Sequence, residues 1–288
     1  MNKFILEHSP LVMALVDLRF TTIPKKKIEQ GLEDFKSSLF DLGLSIFHES
    51  ELNQVEAQPT TEGHFEFKTH KNQRFDFLSL QRNKSVILTT ESLCFRTTDY
   101  KHFDEFKGFW TLIIEAFFNS FPQAKNAGMR RMGLRYTDVF LPQQDEQYTD
   151  YISEEWISHT HRASQLSTLN SFRQQRQTDH GIIRVELEER LPDNGVIELF
   201  PRDIQDPPPV SVSINIKDIW KTASPSKYAL LDVDHSWLPN EKEVMGLSIE
   251  TINKSLQLLH GDSADIFWGI LSAHAEKVWN KREIGGVL

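Results

Sequence analysis

The 288-residue chain contains a single cysteine, Cys94, which excludes an internal disulfide and any zinc cluster built from cysteines. No apolar run reaches the roughly 18 residues that a membrane span needs. Residues 1–10 hold an apolar stretch of only three residues, which is too short for a signal peptide. These absences predict a soluble, cytoplasmic protein that has no membrane partner.

The sequence also lacks three motifs that carry well-understood chemistry. It has no Gly-rich phosphate loop, no Gly-x-Ser-x-Gly elbow and no His-Glu-x-x-His pair. Their absence disfavours a nucleotide hydrolase, a serine hydrolase and a zinc protease respectively. We therefore expect no cofactor, and the sequence favours a non-enzymatic protein over an enzyme.

The charge balance is acidic, with 41 acidic and 32 basic side chains and a formal net charge of −9. This balance argues against wholesale, non-specific binding to DNA, which depends on neutralising phosphates. The charge is unevenly distributed. Residues 125–138 carry four basic side chains and one acid, whereas residues 145–155 carry five acids and no base. A local basic groove is therefore compatible with the acidic net charge of the whole chain.

Apolar periodicity predicts alternating strands and helices in the first half. A strand over 11–20 places Val16, Leu18 and Phe20 on one face and Asp17 and Arg19 on the other. Further elements are then predicted in chain order: a helix from Pro24 to Gly43, strands at 64–70, 74–82 and 85–96, a helix at 103–121 and a strand at 129–141.

The second half is predicted to be rich in strands and to end in helix. Its elements are an acidic linker or insertion with a short helix around 150–163, strands near 171–177, 181–190, 195–200, 210–217 and 228–237, and a helical region at 248–281 that bends at Gly261-Asp262. This order predicts an α+β fold with mainly antiparallel sheets. We expect two strand-rich halves, 1–142 and 171–288, each packed by long helices, with the linker at 143–170 between them.

Three stretches carry a resemblance to a known family: Pro10-Leu11-Val12 with Asp17-Leu18-Arg19-Phe20, then Arg131-Met132-Gly133-Leu134-Arg135-Tyr136, then Leu230-Leu231-Asp232-Val233-Asp234 followed by a helix with Leu259-His260 and Phe267. Over nearly its whole length the chain resembles a sporadically distributed, uncharacterised bacterial family. The family has no agreed activity or catalytic residues to transfer. Its patchy distribution implies a defence-type system. The stretch 99–103 departs from the family's Tyr-x-x-Trp, which removes any role tied to that tryptophan.

Polar side chains alternate along two of the predicted strands. Asp17 and Arg19 share one face of the first strand, and Arg131 and Arg135 share one face of the strand at 129–141, with Gly133 between them. If these strands pair, the side chains could form a buried ion-pair network. As the less favoured interpretation, they could line a cavity in which the arginines bind a phosphate or carboxylate, with the glycine leaving room for the ligand or for another backbone.

A second candidate site is formed by Asp232 and Asp234, whose carboxylates project from one face of a strand. Two acids at this spacing could hold a hard cation such as Mg²⁺ or raise each other's pKa for acid–base chemistry. Further ligands could come from Glu186, Glu188 or Glu198 on neighbouring strands. The same alternation is typical of the solvated face of a strand.

A third candidate site involves nucleic acid. Arg130, Arg162, Arg173 and Arg176 could contact the phosphates of RNA or single-stranded DNA, and the pair His159-Thr160-His161 could supply a histidine for metal-independent cleavage. Exposed loop histidines are the alternative interpretation.

These observations together favour a non-enzymatic binding or assembly subunit of a defence-type system. Its expected partner is a protein encoded nearby or a second copy of the chain, with an anion or small ligand bound near Asp17, Arg19, Arg131 and Arg135. A nucleic-acid-binding or nucleic-acid-cleaving protein is the first alternative. A metal-dependent small-molecule hydrolase that uses Asp232 and Asp234 is the second.

Overall fold

One antiparallel sheet runs through most of the molecule. The computed structural model describes residues 3–59, 65–143, 145–156, 169, 171–221, 223, 225–239 and 245–284. The strands of this sheet are β2 (Leu11–Phe20), β3 (Ile46–Pro59), β4 (Phe65–Leu78), β5 (Lys84–Leu88), β6 (Ser92–Thr97), β7 (Gly128–Phe140), β8 (Ser171–Thr178), β9 (Gly181–Arg190), β10 (Tyr228–Trp237) and β11 (Met245–Gly246). Nine of them follow the order β3-β4-β5-β6-β2-β7-β10-β9-β8, and β11 pairs with β7 outside this path. The two strand-rich halves therefore share one sheet, joined where β7 pairs with β10.

The central strand β2 shows why the sheet has two different faces. Val16, Leu18 and Phe20 are buried in an apolar core, whereas Asp17 and Arg19 point to the opposite face. Because strand side chains alternate, the neighbouring strands continue both faces. The predicted assignment of these side chains to the two faces is confirmed.

The core face of the sheet is covered by three helices, α1 (Lys25–Asp41), α2 (Phe103–Ser120) and α3 (Ile249–Ile270). Their apolar stripes bury Phe35, Phe117 and Leu256 against the sheet. The helices α1 and α2 approach closely at Gly31, where an added Cβ would lie 2.2 Å from the backbone oxygen of Ser120. No helix in the described parts of the chain is both long enough and apolar enough to cross a membrane.

The two ends of the described chain lie together beside the second half of the sheet. β1 (Lys3–Leu6) pairs antiparallel with β12 (Lys281–Ile284), which follows a short helix, α4 (Ala273–Val278). Tyr151, from the acidic linker, is buried and stacks on Trp279 at a centroid distance of 5.0 Å. The described part of the linker is therefore packed into a second apolar core.

The charged side of the sheet is crossed by a loop that we call the strap, residues 201–213. Two short 3-10 turns, Arg202–Ile204 and Pro208–Val210, shape it. Arg82 donates to the backbone oxygens of Pro208, Pro209 and Ser211, and Arg96 Nη2 donates to the oxygen of Val210 at 3.0 Å. Arg82, in the turn between β4 and β5, and Arg96 of β6 therefore fix the path of the triple-proline segment.

The structure confirms the α+β class and the main helices and strands. The helix at 24–43, the helix at 103–121 and the strands at 129–141, 171–177, 181–190 and 228–237 agree with α1, α2, β7, β8, β9 and β10 to within two residues. The chain turns after α1 at Gly43, whose φ of +84° suits a glycine.

Several predicted boundaries are wrong. The strands predicted at 195–200 and 210–217 are absent, because this segment crosses the face of the sheet, where no strand edge is available to pair with it. The predicted strand at 85–96 is divided by a turn in which Thr89 N donates to Ser92 O at 2.9 Å. The predicted strands at 64–70 and 74–82 form one strand, β4, whose partner β3 was not predicted.

The predicted bend at Gly261-Asp262 is also wrong. α3 is continuous through both residues, since an exposed glycine is tolerated within a helix. The helical region is interrupted instead at Leu271, after which the side chain of Ser272 caps α4 by accepting from Ala275 N. Half of the short helix predicted around 150–163, residues 157–163, lies outside the described residues; the described half begins in the 3-10 turn Tyr148–Tyr151.

Candidate functional site

Six charged side chains meet on the side of the sheet that faces away from the helices. We call this group the charged face; its members are Asp17, Arg19, Arg131, Arg135, Asp232 and Asp234. They come together because β7 lies between β2 and β10, with Asp17 opposite Gly133 and Asp234 opposite Arg135. The structure therefore joins the first two candidate sites into one.

Arg131 occupies the centre of the β2 side of the charged face. Its Nη1 donates to Asp17 Oδ2 at 2.7 Å and its Nη2 donates to Asp234 Oδ1 at 3.3 Å. Arg19 donates to the same Asp17 oxygen at 3.0 Å. An added Cβ at Gly133 would lie 2.8 Å from Arg131 Nη1. The space that this glycine provides is therefore taken by the guanidinium of Arg131, not by a ligand as the sequence suggested.

Arg135 forms two paired contacts with carboxylates on opposite sides of its guanidinium. On the sheet side, its Nε and Nη2 donate to the two oxygens of Asp232 at 2.8 and 2.7 Å. On the outer side, its Nη1 and Nη2 donate to Asp203 of the strap at 2.6 and 3.0 Å. The side chain of Arg135 is 14% exposed and that of Asp203 is 64% exposed. The outer pair therefore faces solvent, while the inner pair is protected.

Burial and pairing act in opposite directions on these groups. Desolvation lowers the pKa of Arg135, but hydrogen bonds to Asp203 and Asp232 outweigh it and raise the pKa above its ordinary value. The hydrogen bond from Arg135 lowers the pKa of Asp203. Burial raises the pKa of Asp232, which the contact with Arg135 partly offsets.

A second ion-pair cluster lies under the strap at the β4–β6 side of the sheet. Arg74 donates to both oxygens of Asp76, with Nε at 2.9 Å from Oδ2 and Nη2 at 2.6 Å from Oδ1. Asp206 of the strap lies between Arg74 Nη1, at 2.9 Å, and Arg96 Nη1. The strap thus supplies two carboxylates, Asp203 and Asp206, to arginines of the sheet.

The metal hypothesis for Asp232 and Asp234 gains no support from the geometry. Both carboxylates accept hydrogen bonds from arginines, Arg135 and Arg131 respectively. Glu188 and Glu198, proposed as further ligands, both pair with Arg190, and Glu186 pairs with Arg173. Among the described residues, no group of three or more His, Cys, Asp or Glu side chains is arranged to hold a metal ion.

The arginines proposed to contact nucleic acid do not form one surface. Arg173 and Arg176 project from opposite faces of β8, since Arg173 pairs with Glu186 and Arg176 lies 6.0 Å from the ring of Trp156. Arg130 is exposed on β7, at an irregularity in its pairing with β2. Arg162, with His159 and His161, lies outside the described residues.

A buried acid on the core side of β7, Asp138, interacts electrostatically with a partly buried base, Lys217. Asp138 is 1% exposed, and its Oδ2 has no hydrogen-bond partner among the described residues; burial raises its pKa to about 8. Lys217 donates to the backbone oxygens of Ser9 and Leu11 at 2.5 and 2.6 Å. Burial lowers the pKa of Lys217 to about 8, against the opposing effect of Asp138.

Sequence reasoning missed four residues of this region: Asp203, Asp206, Arg74 and Arg96. One of them carried a usable signal. Arg96 directly follows the apolar run Leu93, Cys94 and Phe95 in a short strand, and a lone charge beside such a run requires a buried partner. The two strap aspartates gave no such signal, because no spacing relates them to the strands.

No protein-family model, curated protein or solved structure matches the chain. Inference about function therefore rests on the geometry of the charged face.

Proposed function

We propose that the protein is a non-enzymatic binding subunit that recognises an anionic group, a carboxylate or a phosphate, at the outer side of Arg135. The observation that supports this proposal is the contact between Arg135 and Asp203. The exposed strap aspartate occupies the outer side of the guanidinium in the paired geometry that a bound carboxylate or phosphate would adopt.

The inner contact makes Arg135 a prepared binding group. Asp232 fixes Nε and one side of Nη2, so the guanidinium is held rigidly with Nη1 and the other side of Nη2 directed outward. A ligand that binds here loses little side-chain entropy in the protein, which favours affinity. Arg135 stays fully charged, since its pKa is raised.

Asp203 is an easily displaced occupant. Its side chain is 64% exposed, and it belongs to a three-residue 3-10 turn. Exposed ion pairs contribute about 0.2–1 kcal/mol, because water and salt screen them, and the paired geometry of this contact places it at the upper end of that range. A partner that brings its own anionic group can therefore replace Asp203 at small cost, while Asp232 keeps Arg135 in place.

A second cation extends the recognition surface. Arg19 is 61% exposed beside Asp17 and Arg131 on the same face. A partner with two anionic groups could contact both Arg19 and Arg135. We propose that this partner is an acidic protein segment encoded near the gene for this chain in a defence-type system, as the family resemblance implies.

The test removes the internal competitor. We expect Asp203→Asn to strengthen binding of inorganic phosphate and of a short poly-glutamate peptide by up to about fivefold, which corresponds to about 1 kcal/mol. Arg135→Lys should weaken both, because an ammonium cannot form the paired contact. Titrations followed by NMR at low salt measure both effects.

Asp218→Asn is the matched control. Asp218 is an exposed aspartate that pairs with Lys221, outside the strap and away from Arg135. The Asp218→Asn variant should bind inorganic phosphate and the poly-glutamate peptide with the affinities of the wild type. Equal affinities in the wild type, Asp203→Asn and Arg135→Lys would overturn the proposal, and stronger binding of the peptide than of phosphate would identify a protein as the partner.

A further inference from the structure

We propose that copies of this chain assemble head to tail, with the β8 edge of one copy pairing with the β3 edge of the next. The proposal goes beyond anion binding at Arg135 and concerns the two ends of the sheet. β3 and β8 are the outermost strands of the nine-strand path, so each has a strand neighbour on one side only among the described residues.

The edge strands of proteins are usually protected from pairing by prolines, bulges, very short strands or charged side chains, lysine above all. Apart from one terminal proline in β3, the two edges carry only charges among these features, and those of β3 and β8 differ in sign. β8 has eight residues and contains no proline and no lysine. β3 pairs with β4 over fourteen residues without interruption, and its only proline is the last residue, Pro59. Both edges therefore offer long backbone ladders to an incoming strand.

The charges of the two edges are opposite. β3 contains three glutamates, at 49, 51 and 56, and no lysine or arginine. β8 contains two arginines, Arg173 and Arg176, and no acid. A symmetric dimer through β3 or through β8 would place like charges against each other, which destabilises paired strands. Pairing of β8 with β3 brings opposite charges together and is the favoured combination.

The topology fixes the geometry of this pairing. Nine strands that alternate in direction leave β3 and β8 running the same way. When the helices of both copies lie on the same side, β8 therefore meets β3 as a parallel neighbour. Glu49 lies opposite Phe75 and Arg176 opposite Ile183, and both partners are buried in the helix-side cores. Arg176 thus projects on the same side as Glu49.

The existing partners of these side chains are weak competitors. Glu51 pairs with Lys71 at 3.2 Å, and both side chains are more than 60% exposed. Glu49 accepts from Gln73, and Arg176 donates to Gln174 on its own strand. Exposed contacts of this kind contribute little, so exchange for contacts to a second copy is inexpensive.

The interface uses two different surfaces, and it therefore generates a ring or an open filament, not a closed dimer. We expect analytical ultracentrifugation of the wild type at low salt to show a concentration-dependent series of species larger than a dimer. Added salt should reverse the association, because the charges are exposed.

Two variants test the pairing directly. Arg173→Glu with Arg176→Glu should block the β8 edge, and Glu49→Lys with Glu51→Lys should block the β3 edge. Each variant alone should be monomeric. An equal mixture should assemble again beyond a dimer, since the intact β8 edge of the second variant meets the intact β3 edge of the first, and the two substituted edges also carry opposite charges.

A control variant separates edge chemistry from net charge. Lys25→Glu with Lys26→Glu changes the net charge as much as the β8 variant but alters exposed residues of α1. It should assemble like the wild type. A monomeric wild type at low salt, a mixture that stays monomeric, or a β8 variant that still assembles would each overturn the proposal.

Discussion

Replacement of Asp138 by asparagine should remove a pH dependence from the stability of the protein. Asp138 is buried on the core side of the sheet, and its pKa is raised from an ordinary value of 3.8 to about 8 by burial. The first value applies to the unfolded state and the second to the folded state. Between pH 3.8 and pH 8 the folded state therefore holds about one proton more than the unfolded state. The free energy of unfolding therefore falls as the pH rises through this range.

The magnitude follows from the size of the pH interval. One bound proton changes the free energy of unfolding by about 1.4 kcal/mol per pH unit, so Asp138 contributes a loss of roughly 2.5 kcal/mol between pH 5 and pH 7. Lys217 acts above this range, because its pKa is lowered from 10.5 to about 8. Between pH 8 and pH 10.5, Lys217 is protonated in the unfolded state and neutral in the folded state. The free energy of unfolding therefore rises with pH in this range.

Urea denaturation of the wild type and Asp138→Asn at pH 5, 6, 7 and 8 measures the effect. The difference between the two proteins matters, since groups that do not interact with Asp138 contribute equally to both. Asparagine leaves buried amide hydrogens without a partner, which lowers stability by about 1–3 kcal/mol at every pH. The variant should therefore start less stable at pH 5 and approach or exceed the wild type at pH 8. A constant difference across the range would refute the reasoning.

Two further predictions follow from single contacts. Gly133→Ala should displace the guanidinium of Arg131 from Asp17 and lower the free energy of unfolding by about 1–2 kcal/mol in urea titrations; an unchanged value would show that the contact adds nothing to stability. Burial lowers the pKa of His235, so its contribution to stability is present above pH 6.5 and is lost on acidification below that value. NMR should find that its imidazole titrates below pH 6.5, and a titration midpoint at or above that value would contradict the prediction.

Apolar periodicity predicted the elements that pack against a core. β2, α1, α2 and β10 were found because their buried residues recur with the spacing that one covered face requires. β3 was missed for the opposite reason. It is an edge strand, and its sequence from His48 to Pro59 contains few apolar residues, so no alternation marks it.

True alternation also misled the sequence reasoning in one place. Val212, Ile214 and Ile216 alternate with polar residues, yet no strand forms at 210–217. A strand needs an edge with free backbone groups as well as a pattern, and this segment lies over the flat face of the sheet. Backbone groups of the strap are instead satisfied by individual side chains, such as Arg82, and by single backbone contacts, such as Ser213 N to Arg82 O at 2.7 Å.

Only those residues of the candidate site that lie on paired strands were predictable from the sequence. The alternation of Asp17, Arg19, Arg131 and Arg135 indicated their common face, and the pairing of β2 with β7 brought them together. Asp203 was out of reach, because it contacts Arg135 across 68 residues from a segment without periodicity. The choice between an ion-pair network and an anion site depends on that residue.

The face of the sheet that carries the charged side chains is covered by apolar residues at its other end, so charges are not required to cover this face. There Val12, Val139 and Leu230 are buried beneath Trp220, which comes from the chain just after the strap. Apolar side chains thus seal one end of this face, and buried ion pairs give little net stability over well-packed apolar residues. The ion pairs of Arg135 therefore stabilise the fold little more than apolar packing at the same place would. What they add is a rigid, charged guanidinium with one side held by Asp232 and the other covered by a displaceable carboxylate, which is what recognition of an anionic partner requires.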